Sequence, residues 1–172
     1  MLELILGGAR SGKSRLAEQR ASASGGPVTY IATCQPLDPA MHQRVAGHQA
    51  RRPAHWQLVE EPLALAATLQ RLARPGHCLL VDCLTLWLTN LLLQAPQRLA
   101  LERDALLACI SQLPGQIILV SNESGLGVVP LGELTRRYVD EAGLLHQALA
   151  ARAERVILCV AGLPLSLKES TP

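Results

Sequence analysis

The sequence predicts an α/β fold of three layers, with helices on both faces of a mostly parallel central sheet. Three observations predict it. Short apolar runs alternate with helix-forming segments from one end of the 172-residue chain to the other. Those runs are continuously apolar, as strands buried on both faces must be. The composition, 49% apolar and 17% charged, supplies core enough for such a sheet within one domain covering residues 1–172.

The first strand is expected at Leu2–Leu6, where Leu4, Ile5 and Leu6 suit a buried parallel position. A glycine-rich turn follows, then a helix over Lys13–Ala23 rich in good helix formers such as Leu16, Ala17, Glu18 and Gln19. Val28–Ala32 reads as the second strand. Asp38 then stands as an N-cap before Pro39, a favoured first helical residue, opening a helix over Pro39–Arg51 that Pro53 stops. A weaker strand at Gln57–Glu60 precedes a helix over Pro62–Leu72. Next come a strand at His77–Asp82, helices at Leu84–Leu93 and Arg98–Leu113, and a strand at Gln116–Ser121. A helix over Gly132–Ala151, a strand at Arg155–Val160 and an edge strand at Leu163–Leu167, expected antiparallel, complete the chain. Ligands of such sheets bind at the C-terminal strand ends.

A formal charge of +2 and only four aromatic residues (Tyr30, Trp56, Trp87, Tyr138) argue against a nucleic-acid partner. Five cysteines, odd in number and without C-x-x-C spacing, point to buried thiols rather than disulfides or a zinc site. The longest apolar stretch, Cys78–Leu93, contains Asp82 and Asn90 and falls short of a membrane span, and no cationic leader precedes the first glycines. A soluble, cytoplasmic protein is expected.

Residues 7 to 14 read Gly7-Gly8-Ala9-Arg10-Ser11-Gly12-Lys13-Ser14, the complete G-x-x-x-x-G-K-[ST] phosphate loop, placed between the first strand and its helix. Backbone N–H groups, the positive end of a helix dipole and a lysine converge there on a polyphosphate. The chain has fourteen Arg but two Lys, so Lys13 does not come from a lysine-rich background. The loop makes the expected architecture that of a RecA-like P-loop NTPase. Leu79-Leu80-Val81-Asp82 has the form of a Walker B strand, in which Asp82 and the Ser14 hydroxyl hold Mg²⁺.

Arg44, His48 and Arg51 fall on one face of the helix expected at Pro39–Arg51, with Arg52 beside them. Arginines neutralise phosphate charge and favour a neutral His48, whose ring nitrogen can then attack phosphorus. On spacing alone, a solvated basic face with an incidental histidine is the better reading. Val120–Pro130 gathers polar residues and glycines at another strand end and suits a wall of the substrate or nucleotide site, or a plain connection, with Gly125–Pro130 as its mobile part. His42, His55, His77 and His146 have no metal-ligand spacing and read as structural.

Taken together, GGARSGKSRLAE, YIATCQ, RVAGHQARRPAHW, LLVDCLTLWLTNLL and VSNESGLGVVP resemble the motif series of the bifunctional adenosylcobinamide kinase and adenosylcobinamide-phosphate guanylyltransferase family over essentially the whole chain. The resemblance implies phosphorylation of adenosylcobinamide by ATP or GTP, then transfer of GMP from GTP to adenosylcobinamide phosphate by way of a guanylyl-histidine. It assigns that histidine to His48, four residues after Arg44. It also implies nucleotide contacts from Ala32, Thr33 and Cys34, from Gln49, Ala50, Arg51 and Arg52, from Glu60 or Glu61, and from Asp82, and a trimeric assembly. Cys34 stands where family members often carry Ser, and His146 where they often carry Asn. Two other functions fit the same residues: a single-activity P-loop small-molecule kinase with Arg51 and Arg52 in a lid, or a RecA-like nucleotide switch.

Overall fold

The first strand is apolar except for Glu3, and all six of its residues are buried, which places it inside the sheet rather than at an edge. The computed structural model, which describes residues 1–35 and 53–169, shows why. β1 (Leu2–Gly7) lies between β5 (Gln116–Asn122) and β6 (Arg155–Val160), parallel to both. With β2 (Val28–Ala32), β3 (Gln57–Glu60), β4 (Cys78–Asp82) and β7 (Leu163–Glu169), the strands form one sheet in the order β3-β2-β4-β5-β1-β6-β7. All pairings are parallel except that of β7, which returns antiparallel along β6. The expected antiparallel edge strand is thus present.

Successive side chains of a strand point to opposite faces, and β1 feeds two cores accordingly. Leu2, Leu4 and Leu6 join a large core with α2 (Leu65–Leu72), α3 (Leu84–Gln94), α4 (Leu99–Cys109) and α5 (Glu133–Arg152). Ile5 joins Val28, Tyr30, Leu80, Ile118 and Ile157 beneath Ala17 and Ala21 of α1 (Lys13–Ser22). Trp87, fully buried, donates its ring N–H to Leu63 O at 2.8 Å, so the largest core side chain leaves no unpaired donor.

Two helices are shorter than the sequence pattern predicts. The segment expected from Pro62 becomes helical only at Leu65, because the Glu61 carboxylate intervenes: its Oε1 accepts from Leu63 N–H (3.0 Å) and Ala64 N–H (2.7 Å), and its Oε2 from the Thr68 hydroxyl (3.0 Å). The segment expected over Arg98–Leu113 is α-helical at Leu99–Cys109 and flanked by tight 3₁₀ turns at Pro96–Arg98 and Ile110–Gln112. The helix expected over Pro39–Arg51 lies outside the described residues.

β7 is exposed along its whole length, presenting Leu163, Leu165 and Leu167 to one side. It is joined to β6 by a two-residue turn, Ala161-Gly162, with positive φ at both (52° and 81°), the hairpin geometry that matches strand twist. Near its end, the Lys168 ammonium donates to Ala150 O and Ala151 O at 2.9 and 3.1 Å, satisfying carbonyls in the last turn of α5. Among the described residues no helix is long and apolar enough to cross a membrane.

Candidate active site

The phosphate loop leaves β1 at Gly7 because nothing larger fits there. A Cβ on Gly7 would stand 2.4 Å from Ser11 Oγ and 2.8 Å from Cys159 O. The loop then folds on itself, with Ser11 N–H donating to Gly8 O at 3.2 Å and the Lys13 ammonium to the same carbonyl at 3.1 Å. Gly12 takes φ 94°, a left-handed conformation open to glycine, and hands the chain to α1. No side chain caps α1, so its first-turn N–H groups remain available to an anion along with the helix dipole. Ala9 and Arg10 are exposed at the crest, and Ser14 is half-buried in the first turn.

The β6–β7 turn braces this loop from behind. Gly162 N–H donates to Ser11 O at 2.9 Å, and a Cβ on Gly12 would meet Gly162 Cα at 3.1 Å.

Asp82 ends β4, in register with Ala32 on one side and Val120 on the other. Ala32 is in turn opposite Glu60, so Asp82, Ala32 and Glu60 share the rim that carries the phosphate loop. A carboxylate and the Ser14 hydroxyl are hard oxygen donors of the kind Mg²⁺ prefers. Beyond β2, the buried Thr33 hydroxyl donates to Cys83 O (2.7 Å) and accepts Cys83 N–H (2.9 Å), while the Asn90 amide donates to Thr33 O (2.8 Å). This lacing fixes the residue after Asp82. Burial, reinforced by Asp82, pushes the Cys83 thiol up to about 12, too high for a nucleophile. Cys34 is half-buried beside Thr33.

Of the two glutamates the resemblance leaves open, Glu61 is committed to the α2 cap, whereas Glu60 is exposed at the end of β3. His48, Gln49, Ala50, Arg51 and Arg52 lie outside the described residues.

One constellation was not legible in the sequence. Ser121 Oγ stands 2.8 Å from His146 Nε2, and His146 Nδ1 is 3.8 Å from Glu123 Oε2. Thr85 joins it, 3.3 Å from Ser121 Oγ and accepting Asn122 N–H at 2.7 Å. Burial holds the His146 pKa below its ordinary value, opposed by the neighbouring Glu123. The polar run after β5 pointed to Glu123, but no local pattern tied it to a histidine on α5. Beyond Glu123 the chain exposes Leu126, Val128, Val129 and Leu131.

A family model described as cobinamide kinase / cobinamide phosphate guanyltransferase matches residues 3–167. The chain belongs to this family. It is 70% identical over 169 residues to the bifunctional adenosylcobalamin biosynthesis protein CobP of Pseudomonas aeruginosa, covering 98% of each chain. It is 39% identical over 183 residues to the corresponding protein CobU of Salmonella typhimurium, covering 98% of this chain and all of that one. Among solved structures, a Pyrococcus horikoshii protein aligns over 99% of this chain and 87% of its own with TM-score 0.59 at 10% identity. The RadB recombinase aligns over 91% of this chain and 73% of its own with TM-score 0.50 at 16% identity. Such distant likeness concerns the fold alone, and agrees with the α/β architecture expected from the sequence.

Proposed function

We propose that this chain phosphorylates the aminopropanol hydroxyl of adenosylcobinamide with ATP or GTP, then transfers GMP from GTP to the resulting adenosylcobinamide phosphate through a guanylyl-histidine on His48. The products of the second reaction are adenosylcobinamide-GDP and pyrophosphate. The observation that carries the reading is the β1–loop–α1 unit, in which an uncapped helix N-terminus and the Lys13 ammonium meet at one point. The family supplies the acceptor and the second reaction.

The loop amides and Lys13 bind the triphosphate and offset charge that builds on the leaving phosphates. Among the described residues Lys13 donates to Gly8 O, a bond that an arriving phosphate oxygen can replace. Ser14 and Asp82 would hold Mg²⁺, which supplies further charge neutralisation. Nucleotide contacts from Ala32, Cys34 and Glu60 fit the strand-end rim, which Thr33, fully buried, supports through its bonds to Cys83. At His48, a ring nitrogen bonds to the α-phosphorus as pyrophosphate leaves, and the substrate phosphate later displaces the histidine. Arg51 and Arg52 steady the nucleotide. The protein works in the cytoplasm as a trimer, as the family resemblance implies.

The test is incubation with Mg²⁺ and GTP labelled at the α-phosphate. One acid-labile GMP per chain is expected, absent in His48→Ala. Intact-mass spectra without an adduct, or with the same adduct in the variant, would overturn guanylyl transfer through His48. Lys13→Ala should lose at least about a hundredfold in both activities, and surviving kinase activity would displace the triphosphate from this loop.

A further inference from the structure

A line of polar contacts runs from Thr85 to Glu123. Thr85 Oγ1 accepts Asn122 N–H at 2.7 Å and stands 3.3 Å from Ser121 Oγ. Ser121 Oγ in turn stands 2.8 Å from His146 Nε2. Burial lowers the His146 pKa against the pull of Glu123, and the other ring nitrogen, Nδ1, faces Glu123 Oε2 at 3.8 Å. Glu123 Oε1 accepts Gly125 N–H at 2.6 Å. The carboxylate is thus held by the Gly125 N–H with the His146 ring alongside, and no Lys or Arg pairs with it among the described residues.

Its position is equally defined. Glu123 N–H donates to Gly7 O at 3.0 Å, fixing the residue against the first position of the phosphate loop. Neighbouring strands lie about 5 Å apart, so β5, which delivers Glu123, is one spacing from β1, β4 with Asp82 is about 10 Å away, and β3 with Glu60 is about 19 Å away. Glu61 is tied into the α2 cap. Among the described carboxylates at the C-terminal strand ends, Glu123 is the one beside the loop that carries neither a helix cap nor the Walker B role.

We propose that Glu123 is the proton acceptor for phosphoryl transfer to the corrinoid hydroxyl, an assignment that rests on the kinase reading above. In that step the substrate O–H bond breaks as its oxygen bonds to the γ-phosphorus. The bond from the γ-phosphorus to the bridging oxygen breaks, its electron pair leaving with the nucleoside diphosphate, and the proton passes to the Glu123 carboxylate. GMP transfer differs in chemistry, because the attacking group is a phosphate oxygen with no proton to lose. Glu123 is therefore required for the first reaction and dispensable for the second.

The experiment measures both reactions separately, adenosylcobinamide with ATP and supplied adenosylcobinamide phosphate with GTP. For Glu123→Gln the kinase kcat falls by at least about a hundredfold with its KM nearly unchanged, while GMP transfer stays within about twofold of the wild type. Glu123→Asp, which keeps the carboxylate, retains at least about ten times the kinase kcat of the Gln variant. Equal loss of both reactions in the Gln variant, kinase turnover near wild type, or equally inactive Asp and Gln kinases would each overturn the assignment. A wild-type chain that fails to phosphorylate adenosylcobinamide would overturn the kinase reading itself, an outcome separate from any result with Glu123.

Discussion

Gly162 N–H donates to Ser11 O at 2.9 Å, a bond joining the turn of the edge hairpin to the middle of the phosphate loop. Gly162 is held at φ 81° and lies against Gly12. Gly162→Ala puts a side chain on a residue held in a left-handed conformation, its Cβ 3.9 Å from an Arg15 guanidinium nitrogen, at a cost of about 1 kcal/mol. The expected result is a lowered melting temperature together with a severalfold weaker Kd for GTP, read by calorimetric titration. An unchanged Kd would show that the brace does not shape the loop.

Thr33 is the hinge pin beside Asp82. Thr33→Val keeps the volume but strips both side-chain hydrogen bonds from buried Cys83, leaving its N–H without that acceptor while its C=O keeps only the Trp87 N–H at 3.2 Å. Destabilisation of about 3 kcal/mol is expected in urea unfolding. Thr33→Ser should recover most of it.

Glu60 and Glu61, adjacent in sequence, should separate by assay. Removing the Glu61 cap in Glu61→Ala costs about 1–2 kcal/mol of stability, since three donors lose their acceptor. Glu60→Ala, at an exposed strand end, leaves the melting temperature nearly unchanged and raises the Kd for GTP. Exchange of the two phenotypes would reverse the assignment of the nucleotide contact.

Glu3 gives the fold a pH dependence of known sign. Burial raises its pKa from 4.5 to about 7, against the pull of Arg155 at 3.8 Å, and Arg20 also pairs with it. The folded state therefore holds this proton more tightly than the unfolded chain. The associated stability is fully present below pH 4.5 and is lost as pH rises through 7, up to about 3 kcal/mol. Glu3→Gln should flatten that decline, so its stability relative to wild type should rise between pH 5 and pH 8, measured by urea unfolding at about five pH values. A parallel profile for the two proteins would exclude Glu3 as the source.

What the sequence revealed follows from where the information lay. The β1–loop–α1 unit is contiguous, and its glycines are required by contacts within a few residues or by backbone conformation, so local pattern sufficed. The strands were equally plain because burial on both faces leaves continuous apolar runs. Helix ends were less so: Pro62 and Leu63 suit a helix by composition, but the Glu61 carboxylate claims the N–H groups there. The Ser121–His146–Glu123 chain was invisible, because its histidine sits 25 residues from its serine and reaches it only when α5 packs against β5. The His48 segment rests on its own motif.

The scarcity of lysine has a practical side. The two ε-ammonium groups of the chain are each tied to backbone carbonyls, Lys13 at the phosphate loop and Lys168 at the end of α5. An amine-directed reagent carrying a nucleotide thus meets two side-chain targets, and Lys168→Arg leaves one. Aldehyde-bearing nucleotide analogues would then report occupancy of the loop as a mass increment on the peptide that carries Lys13, distinct from any on the Met1 amine, so competition by ATP, GTP or a corrinoid can be followed with no radioactive label and no turnover assay.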